Sequence, residues 1–485
     1  MKKILLWIVG VIVALAVVVV AVWSGEIKTL ASIEQVGDDP YLYTCEYSAP
    51  YDLDAVVDAG IDANAKLVAF VIGKLSRGLY KPQVADPSEA PVAGEAAGNA
   101  EDEIPSFACT SFQVRKALVS SVAAASFASV NETSAASGKA VPGATTEGED
   151  GYKTEAGSEP EGAAEAGSEA ESGSGAESVT ETASEAESEA ATEPETEPVP
   201  EPESEPSNEA PAAAGEGGWL FGRNYDYFTN PTLVLTSHPK DGYASISTCD
   251  LSHLGYSLEK LPTKLAAKAL CLAAVYAPMD GMNEKGLCVS IMALPKQAAW
   301  QDSGKPVVGT SVYMRLLLDR CATVEEALEL TRSLDIRHDQ AAGGGYHYLI
   351  ADAEGHCAAV EFDLFDGWKT LVTEKPDSAA YMHMTNHLLY PKYYTTEPDP
   401  VLGNPHSRSW WRYGEVKSYM DERKGTVTLD EAQECLARVH WKDLVWENGM
   451  VENTQWSNVY DQSELTLRLR DWYDYDTTRE FSLQR

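Results

Sequence analysis

Cysteines stand at positions 45, 109, 249, 271, 288, 321, 357 and 435. No two form a CxxC pair or fall at metal-ligand spacing, so the sequence predicts neither a metal site nor a cofactor. Cys109 opens the strand-like run Cys109-Thr110-Ser111-Phe112-Gln113-Val114. Alone, it reads as a buried strand thiol like Cys288 or Cys357. Arg223 and Asp226, within Gly222-Arg223-Asn224-Tyr225-Asp226, read alone as a cross-strand ion pair worth less than ~1 kcal/mol. Asn283 in Gly281-Met282-Asn283-Glu284 reads alone as a turn cap, and Asn386 as a residue that orients a loop. Arg408 opens a helix that also carries Trp410, Trp411 and Arg412. Taken together, a thiol, a cation that favours its thiolate, a carboxylate and side-chain amides are the parts of nucleophilic acyl chemistry.

Those residues need elements to hold them. Phe107–Val114 and Gly218–Tyr227 both read as strands, and they can form one hairpin around a greatly enlarged turn. A longer loop costs only ~0.6 kcal/mol per doubling of its length, and hairpin tips tolerate insertion. Residues 312–334 read as helical, restarted after Cys321 by the capping pair Thr323 and Glu326. Further helices are expected at 408–420 and at 429–439, the latter opened by Thr428. Asp52 to Leu79 carries apolar residues at helical spacing, so at least one amphipathic helix is expected there. Short strands fill much of the rest: 286–293, 346–352, 357–363, 368–373, 381–385, 455–460 and 465–469. Antiparallel strands with segregated helices predict an α+β layered fold.

The chain of 485 residues carries 75 acidic and 37 basic residues, a formal net charge of −38. This charge disfavours nucleic acid as a partner. It is concentrated, because between Lys116 and Arg223 the only basic residues are Lys139 and Lys153. Residues 119–217 are a low-complexity mixture of Ser, Ala, Glu, Gly, Thr and Pro, which cannot bury enough surface to offset chain entropy; disorder is expected. At the other end, Lys2-Lys3 precede an unbroken apolar run from Ile4 to Trp23. Twenty apolar residues span ~30 Å as a helix, the thickness of a bilayer core. Residues 4–23 therefore read as a transmembrane anchor, with a cleavable signal as the alternative. The lysine pair places the remainder outside the cytoplasm, in or on the cell membrane.

Several short motifs, in order, carry a resemblance. Cys109-Thr110, Phe221-Gly222-Arg223-Asn224-Tyr225-Asp226, Asp280-Gly281-Met282-Asn283-Glu284-Lys285-Gly286-Leu287 and Tyr348-Leu349-Ile350-Ala351-Asp352 are followed by Thr385-Asn386-His387, Ser407-Arg408 and Thr454-Gln455-Trp456-Ser457-Asn458-Val459-Tyr460-Asp461. This series resembles the choloylglycine hydrolase and penicillin V acylase group, which is related to acid ceramidase and to acyltransferases of 6-aminopenicillanic acid. It covers about residues 107–115 and 218–470. The resemblance implies an αββα sandwich of the N-terminal nucleophile hydrolase type. It makes Cys109 the nucleophile, with its own α-amine as general base. Arg223 becomes the cation beside the thiol and Asp226 the carboxylate that holds the amine. Asn283 and Asn386 become oxyanion donors, and Arg408 a second active-site arginine, with Arg412 as the competing candidate. His387 is left a structural role, since the amine already fills the base position.

The same resemblance implies that the Ala108–Cys109 bond must break, giving a pro-segment of residues 24–108 outside the cytoplasm and an amidohydrolase domain of residues 109–485, interrupted by the acidic insertion. The expected reaction is hydrolysis of a linear, non-peptide N-acyl amide through a thioester. Small-molecule candidates are bile-acid conjugates, phenoxyacetyl penicillin, N-acyl homoserine lactones and N-acyl lipids. Acyl transfer to an amine is the neighbouring alternative, and a surface stalk carrying an inactive hydrolase-like binding module is the alternative from a different class.

Overall fold

A computed structural model of the protein describes residues 21–78, 109–117, 217–294, 298–339, 344–394, 408–445 and 451–484. All of them fall in one compact unit. The acidic insertion expected at 119–217 lies outside the described residues apart from Gly217, as does residue 108, the upstream side of the expected cleavage bond. The anchor expected at 4–23 also lies outside them, except for its last three residues. Among the described residues no helix is long and apolar enough to cross a membrane.

The unit is built on two sheets. The first has nine strands in the order Glu34–Gln35, Leu42–Tyr47, Thr232–Ser237, Ser245–Asp250, Asp280–Asn283, Cys288–Leu294, Gly345–Ala351, Cys357–Asp363 and Lys369–Glu374. The second runs Tyr381–Met384, Cys109–Lys116, Trp219–Phe228, Val451–Asp461, Thr466–Asp471 and Arg479–Ser482. Two short strands, Thr426–Val427 and Leu444–Val445, pair at its side. Helices Thr310–Arg320 and Val324–Arg332 pack on the first sheet, and helices Arg408–Glu422 and Leu429–Arg438 on the second, while the sheets touch each other. The result is the expected helix–sheet–sheet–helix layering, with both sheets mixed.

The hairpin across the insertion forms as its pattern suggests. Cys109 pairs with Tyr225, Ser111 with Arg223 and Phe112 with Gly222. The glycine of that motif has a packing cause: a Cβ on Gly222 would stand 2.2 Å from the Phe112 ring. The capping readings hold in detail. Thr323 Oγ1 accepts from Glu326 N, and Thr428 and Glu431 complete a reciprocal capping box at the start of Leu429–Arg438. The apolar spacing after Asp52 resolves into two helices, Leu53–Asp58 and Asn64–Leu75.

The expected pro-segment is more than a leader. Leu42–Tyr47 pairs in parallel with Thr232–Ser237 inside the first sheet. Gly309 N donates to Ile61 O at 2.7 Å, and a Cβ on Gly309 would stand 3.0 Å from the Asp62 backbone. Residues of this segment, among them Ile33, Leu42, Val56 and Leu67, belong to the main core. All eight cysteines are buried, free thiols.

Candidate active site

Directly opposed residues of an antiparallel pair point to one face, so Cys109, its partner Tyr225, and Arg223 two positions along face the space between the sheets. There Cys109 lines a cavity of about 310 Å³, a size suited to a small ligand. Tyr225, Tyr227, Tyr346, Ile291, Ala293 and His253 are among its walls. Tyr225 is fixed by stacking on Trp456, with ring centroids 4.3 Å apart. Its hydroxyl donates to Asp250 Oδ2 at 3.3 Å and lies 3.3 Å from His253 Nε2.

A polar cluster holds the start of the nucleophile strand. Cys109 N donates to Asn386 Oδ1 at 2.6 Å. Arg412, fully buried, donates through Nη1 to Cys109 O and to Thr110 Oγ1, and through Nη2 to Asn386 Oδ1 at 2.9 Å. Asn386 Nδ2 donates to Ala293 O at 2.7 Å, which ties this cluster to the first sheet. Asp226 accepts from Thr454 Oγ1 at 2.5 Å, while its Oδ2 is buried with no hydrogen-bond partner among the described residues. Burial pushes the Asp226 carboxyl up to about 7, against the pull of Arg412 and the Thr454 hydroxyl. The same burial pulls Arg412 below its usual value, opposed by Asp226 and Cys109.

Of the residues singled out from sequence, Cys109, Asp226 and Asn386 meet here, and Arg223 lies on the thiol's face. Arg223 reaches across the sheets: Nη2 donates to Ile291 O at 2.5 Å, Nη1 to Asn224 O, and Nε stands 3.9 Å from Asp280 Oδ2. Two of the residues singled out lie apart from this cluster. Arg408 is exposed at the helix start, with its guanidinium 5.2 Å from the Trp441 ring, and Arg412 occupies the place expected of it. The buried stripe Ser409, Arg412, Val416, Tyr419, Met420 recurs at helical spacing and turns Arg412 inward. Asn283 locks a turn. Its Nδ2 donates to Leu318 O and Cys321 O, and its Oδ1 accepts from Lys285 N and Leu287 N. Both amide hydrogens are spent, so Asn283 has none for an oxyanion.

His387, expected to be structural, stacks on Trp410 at 3.8 Å, its Nδ1 lies 2.8 Å from Ser409 Oγ, and burial pulls it down to about 3. Several motif residues knit the sheets together. Asp280 on the first sheet accepts from Trp456 Nε1, Asn458 Nδ2 and Tyr460 OH on the second. Sequence reasoning missed the wall that the N-terminal segment supplies: Ile61, Asp62, Ala63, Asn64 and Leu67 line the cavity. No sequence signal pointed there, because the contact depends on a parallel strand pair distant in sequence.

A family model described as acyl-coenzyme A:6-aminopenicillanic acid acyl-transferase matches residues 213–470, just over half of the chain. The chain belongs to that family. The matched region of this acyl-transferase family member holds Arg223, Asp226, Asn386 and Arg412, whereas Cys109 and the strands Leu42–Tyr47 and Cys109–Lys116 precede it. Among solved structures, a variant of conjugated bile acid hydrolase from Clostridium perfringens is similar at 16% identity, over 55% of this chain and 90% of that one, with a TM-score of 0.40. Penicillin V acylase from Agrobacterium tumefaciens is similar at 17% identity, over 55% and 83%, with a TM-score of 0.37. No curated protein matches the chain.

Proposed function

We propose that the protein is an amidohydrolase acting on a linear, non-peptide N-acyl amide, with Cys109 as an N-terminal nucleophile released by self-cleavage. The observation that carries this is the convergence on one residue: the side chain of Cys109 lines the cavity while its nitrogen and carbonyl are held by Asn386 and Arg412.

In the maturation step, Cys109 Sγ attacks the Ala108 carbonyl carbon, the Ala108–Cys109 carbon–nitrogen bond breaks, and water hydrolyses the resulting ester-like thioester. The freed α-amine then takes the thiol proton during each turnover, and its ordinary pKa near ~7.7–8 suits that task. Asp226, next to Cys109's partner Tyr225 on the paired strand and with a buried oxygen unpartnered among the described residues, supplies the carboxylate against which the ammonium rests. Thiolate attack on a substrate amide forms the carbon–sulfur bond, the amine leaves with the proton held by the α-amine, and water releases the acid. Asn386 Nδ2, with one hydrogen on Ala293 O, is the side-chain donor for the oxyanion. Because residues 21–78 are built into the sheet and the cavity wall, the upstream fragment stays with the enzyme after cleavage. The apolar run Ile4–Trp23, immediately ahead of helix Ser24–Ser32, anchors the enzyme to a membrane.

Incubation with a panel of acyl amides, with mass spectrometry of the Cys109 peptide, tests this reading. An acyl adduct on Cys109 and loss of turnover in Cys109→Ser are expected; turnover that survives Cys109→Ser would refute it. Transfer of the acyl group to an added amine uses the same residues, and the family's description favours it as the second reading. The ratio of transfer product to free acid decides between them.

A further inference from the structure

The cavity has a sign. Among the described residues that line it, the acidic and basic side chains are Asp62, Asp339 and His253, with no lysine or arginine. Asp62 is buried and already paired within the protein: Lys66 Nζ stands 2.8 Å from its Oδ1 and Arg337 Nη1 3.9 Å from its Oδ2. Asp339 Oδ2 accepts from Asn64 N at 3.0 Å, at the start of helix Asn64–Leu75.

The aromatic walls have the same preference. Tyr225, Tyr227 and Tyr346 line the cavity, and aromatic rings attract cations. Tyr346 joins the two ends of the site: burial raises its phenol first, and Tyr227, Asp339 and Cys109 all act on it electrostatically. Asp339, an aromatic surface and the nucleophile are therefore neighbours in one cavity. The cations nearest the site are engaged within the protein and do not line it: Arg412 and Arg223 with Cys109 O, Asn386, Asn224 and Ile291, and Lys66 and Arg337 with Asp62.

We infer that the substrate is an amide carrying a protonated amino group, which Asp339 and the tyrosines Tyr225, Tyr227 and Tyr346 receive beside Cys109. This rests on the amidase reading above and names the class of its substrate. The ammonium can belong to the amine half, as in an N-acyl diamine, or to the acyl half, as in an aminoacyl amide.

Matched substrates test it. N-octanoyl-1,4-diaminobutane, N-octanoylpentylamine and N-octanoyl-4-aminobutyrate differ mainly in the charge on the amine half; the pentylamide of 6-aminohexanoic acid places the ammonium on the acyl half. The expected kcat/KM for one of the two ammonium substrates exceeds that of the neutral amide by about tenfold and that of the anion by more, as a cleft of one sign selects its ligand. The gap should narrow with added salt. Asp339→Asn keeps an oxygen for Asn64 N while removing the charge, and should bring the ammonium and neutral substrates to within about threefold. Protection of Cys109 from iodoacetamide by 1,5-diaminopentane, but not by pentanoate, gives a readout that needs no turnover. Equal or better use of the anion, or protection by pentanoate alone, would overturn the inference. Absence of turnover with every amide, with protection by the diamine retained, would instead refute the amidase reading and leave the cation site standing.

Discussion

Replacing Arg412 separates the two arginines of the helix Arg408–Glu422. Arg412→Met removes donors to Cys109 O, Thr110 Oγ1 and Asn386 Oδ1 and the cation that opposes the rise of Asp226. Charged hydrogen bonds contribute about 1.5–3 kcal/mol each, but they are not additive, and breaking a buried charged cluster costs about 3–5 kcal/mol in all. The Asp226 carboxyl, already pushed up to about 7, then stays protonated through neutral pH and limits the loss. Stability should fall by about 3 kcal/mol, and the change on adding Asp226→Asn should be more favourable in this background than alone. The Cys109 backbone loses its anchor, and a displacement of about 1 Å at the nucleophile lowers kcat by about 100-fold. Arg408→Met, by contrast, changes an exposed side chain beside Trp441 and should move stability by less than about 0.5 kcal/mol and kcat by less than about threefold. Urea titration and initial rates on the acyl amides read both variants. Full activity in Arg412→Met, or a 100-fold loss in Arg408→Met, would refute the placement of the active-site arginine.

Asp226 gives a pH test. Its folded value of about 7 lies above the 3.8 of an ordinary aspartate, so the folded chain holds a proton that the unfolded chain releases. Its ionisation costs nothing below pH 4 and about 4 kcal/mol above pH 7. In an uncleaved Cys109→Ala chain, Asp226→Asn should therefore gain stability as pH rises through 4 to 7, and a flat difference between pH 4 and 8 in urea titrations would contradict this. Asn386→Ala should lower kcat/KM by the equivalent of about 3–4 kcal/mol, whereas Asn283→Ala should lower stability and leave kcat of the folded enzyme within about threefold. Gly222→Ala, whose Cβ would meet the Phe112 ring, should destabilise by about 1–3 kcal/mol in thermal melts.

Local patterns carried much of the fold. The hairpin of Cys109–Lys116 and Trp219–Phe228 was legible because its strands keep their pattern across any loop length, and Thr323 and Thr428 announced their helices through capping chemistry. The parallel pairing of Leu42–Tyr47 with Thr232–Ser237 was not legible, since a long-range pair leaves no local periodicity. For the same reason the N-terminal wall of the cavity went unseen. At the site, Cys109, Asp226 and Asn386 could be placed by resemblance, but Arg408 and Arg412 share a helix within one turn, and only packing shows which turns inward. For Asn283 the turn signal of Gly-Met-Asn-Glu shows in the Oδ1 contacts to Lys285 N and Leu287 N, while the Nδ2 contacts to Leu318 O and Cys321 O depend on distant packing.

End-group sequencing combined with intact mass of active-site-titrated material is the most direct measurement. Two fragments are expected, one beginning at Cys109, with every titrated site belonging to that fragment. Titratable, fully active protein in which residues 108 and 109 remain joined would contradict an amine-terminal cysteine as the nucleophile.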